Sequence, residues 1–309
     1  MISQHTGILI VLVFISTSSE AATPPPADAS NNAPQQQADQ QKSQQAPTTN
    51  DGAQKQTQVV QQPAADQEAG LGLSLSLAWY SAYNFRGINV FSADDPHKIN
   101  SMLAPALTWN IGDTGLSLGY WGAYQLNGEN FAQNIEAGLG AEQDLTLGYA
   151  QDLLNGDVSL TGYFTAFVYP LARQDVAGER VPVYVEPGVS AVYHGPVDLG
   201  LTVASFFATQ QSLADYRYLY LNPHIGRTLR LNDAVQLQTS LGYGYKLFVN
   251  RDKMTDNVHD FHLDVDVPVA ISQALSLSLN GHLAWTNLAQ HSLAQETFAY
   301  VGVALGYTL

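Results

Sequence analysis

The chain has 309 residues, no cysteine, a formal net charge of −15 and a sequence pI near 4.6. These values exclude disulfides, thiol catalysis and a lipid-modified N-terminal Cys, and so acidic a chain argues against a nucleic-acid partner. The length allows one or two domains. Beyond the N-terminus no apolar run approaches the roughly 20 residues of a membrane helix, so any insertion into a bilayer has to be made by strands.

Residues 1–22 carry an apolar core, Gly7 to Ile15, followed by small residues of which Ser19 and Ala21 suit a cleavage site. This predicts a secretory signal peptide, with the departure that no Lys or Arg precedes Gly7. Over residues 23–69 the composition turns to Gln, Ala, Pro, Asp, Asn and Thr without an aromatic residue. Such a segment cannot bury enough apolar surface to offset the entropy of ordering, and is predicted to be a disordered periplasmic linker, roughly 40 Å from end to end as a flexible coil. It serves either as a solvated spacer or as a tether to the cell wall or a periplasmic partner.

Residues 70–309 open on Leu71 to Gly87, LGLSLSLAWYSAYNFRG, in which Leu71, Leu73, Leu75, Leu77, Trp79, Tyr83 and Phe85 alternate with Ser74, Ser76, Tyr80, Asn84 and Arg86. Period-two alternation predicts a strand with two unlike faces. About eleven more segments repeat it: Asn100 to Ile111, Leu116 to Leu126, Ile135 to Gln151, Val158 to Tyr169, Val181 to Tyr193, Leu199 to Thr209, Arg217 to Arg230, Val235 to Val249, Val258 to Ile271, Leu275 to Trp285 and Thr297 to Leu309. Short turns at Gly112–Gly115, Asn155–Asp157, Gly195–Pro196, Asn232–Asp233 and Ser272–Gln273 alternate with longer loops. An even strand count with short turns at one end and long loops at the other predicts an all-β fold: one antiparallel up-and-down barrel of about 12 strands in a Gram-negative outer membrane, with the linker and the C-terminus in the periplasm.

Which face meets lipid follows from the aromatic residues. Trp79, Tyr124, Tyr245 and Trp285 fall near the loop ends of their strands, and Trp109, Tyr149 and Tyr307 near the turn or terminal ends. Two aromatic girdles around an aliphatic band place the Leu face against lipid and the Ser/Gly face toward water. Two features resist the scheme. Pro105, Pro187, Pro223 and Pro268 lie inside strands, where each loses a ladder hydrogen bond, which predicts a repeated local bend or bulge. Gln143 would face lipid unless a bulge around Glu142 to Asp144 repairs the register.

Alternation turns Arg86, Arg230 and Lys246 inward as bases, and Glu136, Glu142, Asp144, Glu186, Asp264 and Asp266 as acids, with His262 beside them. The excess of acids predicts a weak cation preference for a water-filled lumen. His262, Asp264 and Asp266 share one face and read either as a cation site or as hydrated acids paired across the lumen. His259 and His262 point to opposite faces, so no metal pair is expected, and nothing calls for a cofactor. Lys98, Arg173, Arg180, Arg217, Arg251 and Lys253 fall in or beside the long loops, where they contact lipopolysaccharide phosphates or stay solvated. No phosphate loop, zinc signature or nucleophile elbow is present, and no Ser–His pair faces lipid, so an enzyme is not expected. The inward aromatic residues Tyr80, Trp121, Tyr163, Tyr184, Phe206, Tyr220 and Phe248 either line a path for small polar or ionic solutes or plug it. The first case is a porin-like diffusion channel; the alternative is a closed barrel that anchors or interacts through its tether and loops.

The stretch Tyr83-Asn84-Phe85-Arg86-Gly87-Ile88 resembles the aromatic-Arg-Gly signature ending the first strand in the TorF-like porin family of Gram-negative bacteria, and Asp157 to Pro170 is similar to a strand of the same family. The resemblance covers about residues 70–309 and implies a small outer-membrane channel of unassigned solute. The chain departs from the usual outer-membrane pattern at its last residue, Leu309, with Tyr307 two positions earlier.

Overall fold

The computed structural model describes residues 72–86, 88–91, 100–128, 131–138, 140–171, 183–209, 217–248, 258–287 and 297–309. The predicted signal peptide and linker lie outside these residues. Twelve antiparallel strands close into a barrel. They are β1 (Leu73–Tyr80), β4 (Met102–Asn110), β5 (Leu116–Gln125), β6 (Ala141–Leu153), β7 (Val158–Val168) and β8 (Tyr184–Tyr193), followed by β9 (Asp198–Ala208), β10 (Tyr218–Arg230), β11 (Gln236–Phe248), β12 (Val258–Ala270), β13 (Leu275–Thr286) and β14 (Thr297–Thr308). Each strand pairs with its neighbours in the chain, and β1 closes the ring on β14, with Trp79 opposite Val303. Between β1 and β4 a small hairpin forms from β2 (Asn84–Phe85) and β3 (Ile88–Asn89).

The molecule is inside-out relative to a soluble protein. Leu145 and Leu147 are 56 % and 52 % exposed, whereas Thr202 and Asn222 are fully buried. Closing the sheet pairs the edge strands with each other, and the alternation then gives lipid a continuous aliphatic surface. Turn chemistry sets one rim. Asn232 Oδ1 accepts from the backbone N–H of Ala234 and Val235, and Ser272 Oγ from Ala274 and Leu275. Both are the local side-chain-to-backbone bonds that let two-residue turns form.

Four expectations are corrected. The first strand ends at Tyr80, not near Gly87. Ser81 donates its N–H to Val301 O and its Oγ accepts from Val301 N–H, and beyond this point the chain leaves the wall. Tyr83 and Phe85, expected toward lipid, therefore enter the lumen, where Tyr83 packs on Trp121 and Phe91 and Phe85 on Phe167 and Phe206.

The segment at Ile135 is helical, not extended: α1 (Phe131–Ala137) stands between β5 and β6 and stops at Gly138, whose φ of 76° suits a helix C-terminus. Glu136, expected inside on the fourth strand, lies on this helix and is exposed.

The prolines bend no register. Met102–Leu103 and Ala106–Asn110 pair with β5 in one unbroken register across Pro105, and the same holds across Pro187 and Pro223 on one side and across Pro268 against β11. Each proline opens one ladder without inserting a residue.

No bulge forms around Gln143 either, which pairs in sequence with Gly122 and Val168. It does face outward, near the loop end, where its Nε2 donates to Tyr124 Oη at 3.3 Å and Tyr124 Oη bonds Tyr120 Oη at 2.8 Å. A polar pair of tyrosines thus satisfies the amide.

Candidate functional site: a lumen crossed by a hairpin

The β2–β3 hairpin is the organising element of the lumen. Arg86 opens its two-residue turn with φ 52°, a left-handed conformation that costs a non-glycine residue about 1–2 kcal/mol and so needs tertiary contacts to hold it. Those contacts come from the far wall. Arg86 Nη2 meets Glu186 Oε2 of β8 at 2.5 Å, and Nη1 donates to Tyr218 Oη of β10 at 3.0 Å. The guanidinium carbon lies 4.1 Å from the Tyr220 ring centroid, and Lys246 Nζ of β11 donates to Arg86 O at 2.6 Å. β8 and β10 flank β9, the sixth strand from β1 in either direction around the ring, and β11 is the next beyond β10, so the hairpin spans the lumen.

Around this crossing the interior is packed. Tyr83, Phe91, Trp121, Tyr80, Tyr300 and Phe298 form one buried cluster, and Tyr218, Tyr220, Tyr163, Phe206 and Phe248 a second. Glu142 of β6 clamps the hairpin's base: Tyr83 donates to its Oε1 at 2.9 Å and Tyr169 to its Oε2 at 2.5 Å. Both phenols stand outside the spanning strands. Burial, then the Glu142 carboxylate, pushes each well above its ordinary pKa of 10.0.

A second group of side chains descends from the crossing along β12 and β13. Lys246 Nζ stands 3.4 Å from Asp260 Oδ2, and Tyr220 donates to Asp260 Oδ1 at 2.9 Å. His262 lies between Asp260 and Asp264, 4.0 and 3.9 Å from them. His282 Nδ1 is 2.7 Å from Asp264 Oδ1, and Asn280 Nδ2 donates to Asp266 Oδ1 at 2.5 Å. Small residues make room for this group. A Cβ at Gly242 would collide with the His262 ring, and one at Gly302 with the Tyr80 ring, which therefore lie flat against the wall.

At the turn end, Ser159, His194 and Asp198 come together: Ser159 Oγ is 2.9 Å from His194 Nε2, and His194 Nδ1 is 3.1 Å from Asp198 Oδ1. The spacing is that of a nucleophile, base and orienting acid, but Ser159 Oγ donates to Asp152 Oδ1 at 2.8 Å. The hydroxyl hydrogen thus has a carboxylate as its acceptor as well as the imidazole, which sets the group apart from a triad in which the base alone takes it. The group clasps β6, β7, β8 and β9 at their turn ends.

Of the residues expected from the sequence to line the lumen, the structure brings Arg86 and Glu186 into one ion pair and Lys246, His262, Asp264 and Asp266 into the chain just described. Arg230 does not join them. It sits at the turn rim, 66 % exposed, paired with Asp233 at 2.9 Å. The aromatic residues Trp79, Trp109, Tyr124, Tyr149, Tyr245, Trp285 and Tyr307 all occupy outward positions of their strands. His259 is outward too, with its ring 4.9 Å from that of Tyr245 and a hydrogen bond between its Nδ1 and the Tyr243 hydroxyl. Sequence reasoning missed Asp260, although it shares the parity of His262, and it missed the Glu142 clamp, whose partners Tyr83 and Tyr169 are contributed by loops. Among the described residues no three His, Asp or Glu side chains are placed to hold a metal ion.

No family model matches the chain, and no curated protein matches it. Among solved structures it is similar to the KdgM porin, at 8% identity over 76% of this chain and 99% of that one, with a TM-score of 0.47. It is similar to the NanC porin at 8% identity over 77% and 98%, TM-score 0.45. An outer-membrane channel from Pseudomonas putida F1 stands at 11% identity over 80% and 99%, TM-score 0.46. Identities this low, with TM-scores under 0.5, carry no functional inference, so function has to be read from this lumen itself.

Proposed function

We propose that the protein is a narrow, porin-like outer-membrane channel for small polar or ionic solutes, with weak cation preference, and that the β2–β3 hairpin is its constriction. The observation that carries this reading is the charge of the inward wall inside a barrel with an aliphatic exterior. Glu142, Asp144, Glu186, Asp260, Asp264 and Asp266 face two buried bases, Arg86 and Lys246, an excess of four negative charges with histidines neutral. Acidic walls in a confined lumen concentrate cations and repel anions. In this reading the aromatic residues at the strand ends form the two lipid-interface girdles, and the basic loop residues meet lipopolysaccharide. The turns and both termini face the periplasm. The aromatic-Arg-Gly stretch supports a place in the TorF-like porin family.

Reversal potentials across a planar bilayer under a KCl gradient test the selectivity, and anion preference overturns it. A second reading is favoured by the near-complete burial of Arg86, Tyr83, Phe91 and Tyr220 at the crossing. It makes the barrel a closed outer-membrane anchor that works through its N-terminal tether. Refolded protein without conductance steps supports that reading and removes the channel.

A further inference from the structure

We infer that the wall formed by Asp264 and Asp266 of β12 and Asn280 and His282 of β13 is a binding site for a small organic cation rich in N–H donors, of the guanidinium or primary ammonium type. The inference rests on the channel reading for the solute's route, and its test is separable from it. Asp264 faces His282 and Asp266 faces Asn280 in the register, so the four side chains stand at the corners of a patch about 5 Å wide and about 7 Å long.

Two acceptor atoms of the patch, on Asn280 and His282, have no donor. Asn280 commits its amide nitrogen to Asp266 and Ser278, which fixes the amide orientation and turns its oxygen away from both. That oxygen is buried and has no donor. His282 Nδ1 meets the Asp264 carboxylate, a bond that in the neutral ring takes its one N–H and leaves Nε2 as an acceptor, and Nε2 too is buried without a partner. The Asn280 residue and the His282 side chain are 8 % and 9 % exposed, whereas the Asp264 side chain, at 21 %, is the more open flank of the patch. The two carboxylates repel an anion, and among the described residues no three His, Asp or Glu side chains are placed to hold a metal ion. A guanidinium or ammonium supplies both the charge and the donors. The His282 ring is stacked on Tyr300 at 4.4 Å with Tyr80 at 6.3 Å, which adds aromatic faces beside the acids.

The test is calorimetric titration of the full-length chain, refolded in detergent, with agmatine and with hexamethonium, which has the same two positive charges but no N–H. Agmatine is expected to bind at least tenfold more tightly, and Asp264→Asn to weaken it about tenfold or more. Equal binding of the two cations, or agmatine affinity untouched in a folded Asp264→Asn barrel, overturns the site. If that variant does not fold, the comparison of the two cations on the unsubstituted chain decides alone. Agmatine binding in a barrel that shows no conductance supports the site while removing the channel reading, and conductance without preferential agmatine binding does the reverse.

Discussion

Replacing Glu186 by Gln tests the hairpin as a constriction. The substitution keeps the side chain's size and removes the charge that meets Arg86 at 2.5 Å in a pair whose side chains are 2 % and 4 % exposed. Leaving a buried charge without its partner costs about 3–5 kcal/mol. The amide oxygen of Gln can still accept from the guanidinium, which offsets about 1–2 kcal/mol; the Tyr218 and Tyr220 contacts are the same in both proteins and cancel. The balance, about 1–4 kcal/mol against the docked hairpin, multiplies the released population about 5- to 700-fold. The positive φ of Arg86 favours release further, because nothing outside the lumen rewards it. Single-channel recording in planar bilayers reads the effect as a higher open probability or a larger main conductance. A folded Glu186→Gln barrel with unchanged conductance and open probability refutes the hairpin as constriction and reduces Arg86–Glu186 to a structural pair.

Three further outcomes are expected. Leu279→Arg places a charge at an outward, half-exposed position midway along β13 and should cost about 2–4 kcal/mol, measured by urea unfolding in lipid vesicles; a neutral result would mean this face does not meet hydrocarbon. Gly302→Ala drives a methyl group into the Tyr80 ring and should cost about 1–3 kcal/mol in the same assay. Burial of the Tyr83 and Tyr169 phenols, and after it the Glu142 carboxylate, gives stability a pH dependence of defined sign. Folded Tyr83 and Tyr169 hold their protons above pH 10.0, where an unfolded chain loses them, so the contribution is whole below about that pH and fades as pH rises through the raised folded values. Alkaline unfolding should be less steep in Tyr83→Phe/Tyr169→Phe, and an identical pH profile would show that these two phenols do not hold their protons in the folded barrel.

Much of the barrel is legible along the chain because lipid outside and polar groups inside impose a period of two on every spanning strand. Leu145, Leu147 and Tyr149 fall outward and Thr146 and Gly148 inward by parity alone. Parity fails where the chain leaves the wall. Tyr83 and Phe85 continue the alternation of β1, yet after Ser81 they belong to a loop, and Glu136 continues that of β6 from within a helix. Nor does a proline disclose whether its strand shifts: Pro105 and Pro187 each lose one ladder bond and keep the register, since the bonds on either side hold it.

The site divides in the same way. That Arg86, Glu186, Lys246 and Asp264 are polar groups of an interior was determined by the sequence, because each sits at a strand or hairpin position whose neighbours are of the opposite kind. Which of them meet was decided only by the closed ring. Arg86 reaches Glu186 across 100 positions of chain and Lys246 across 160, separations that no local pattern encodes. Tertiary structure also decided that the first loop turns inward. A loop carrying Tyr83, Phe85 and Phe91 buries its aromatic surface against Trp121, Phe167 and Phe206 once the barrel exists, whereas outside the lumen those rings would stand in water.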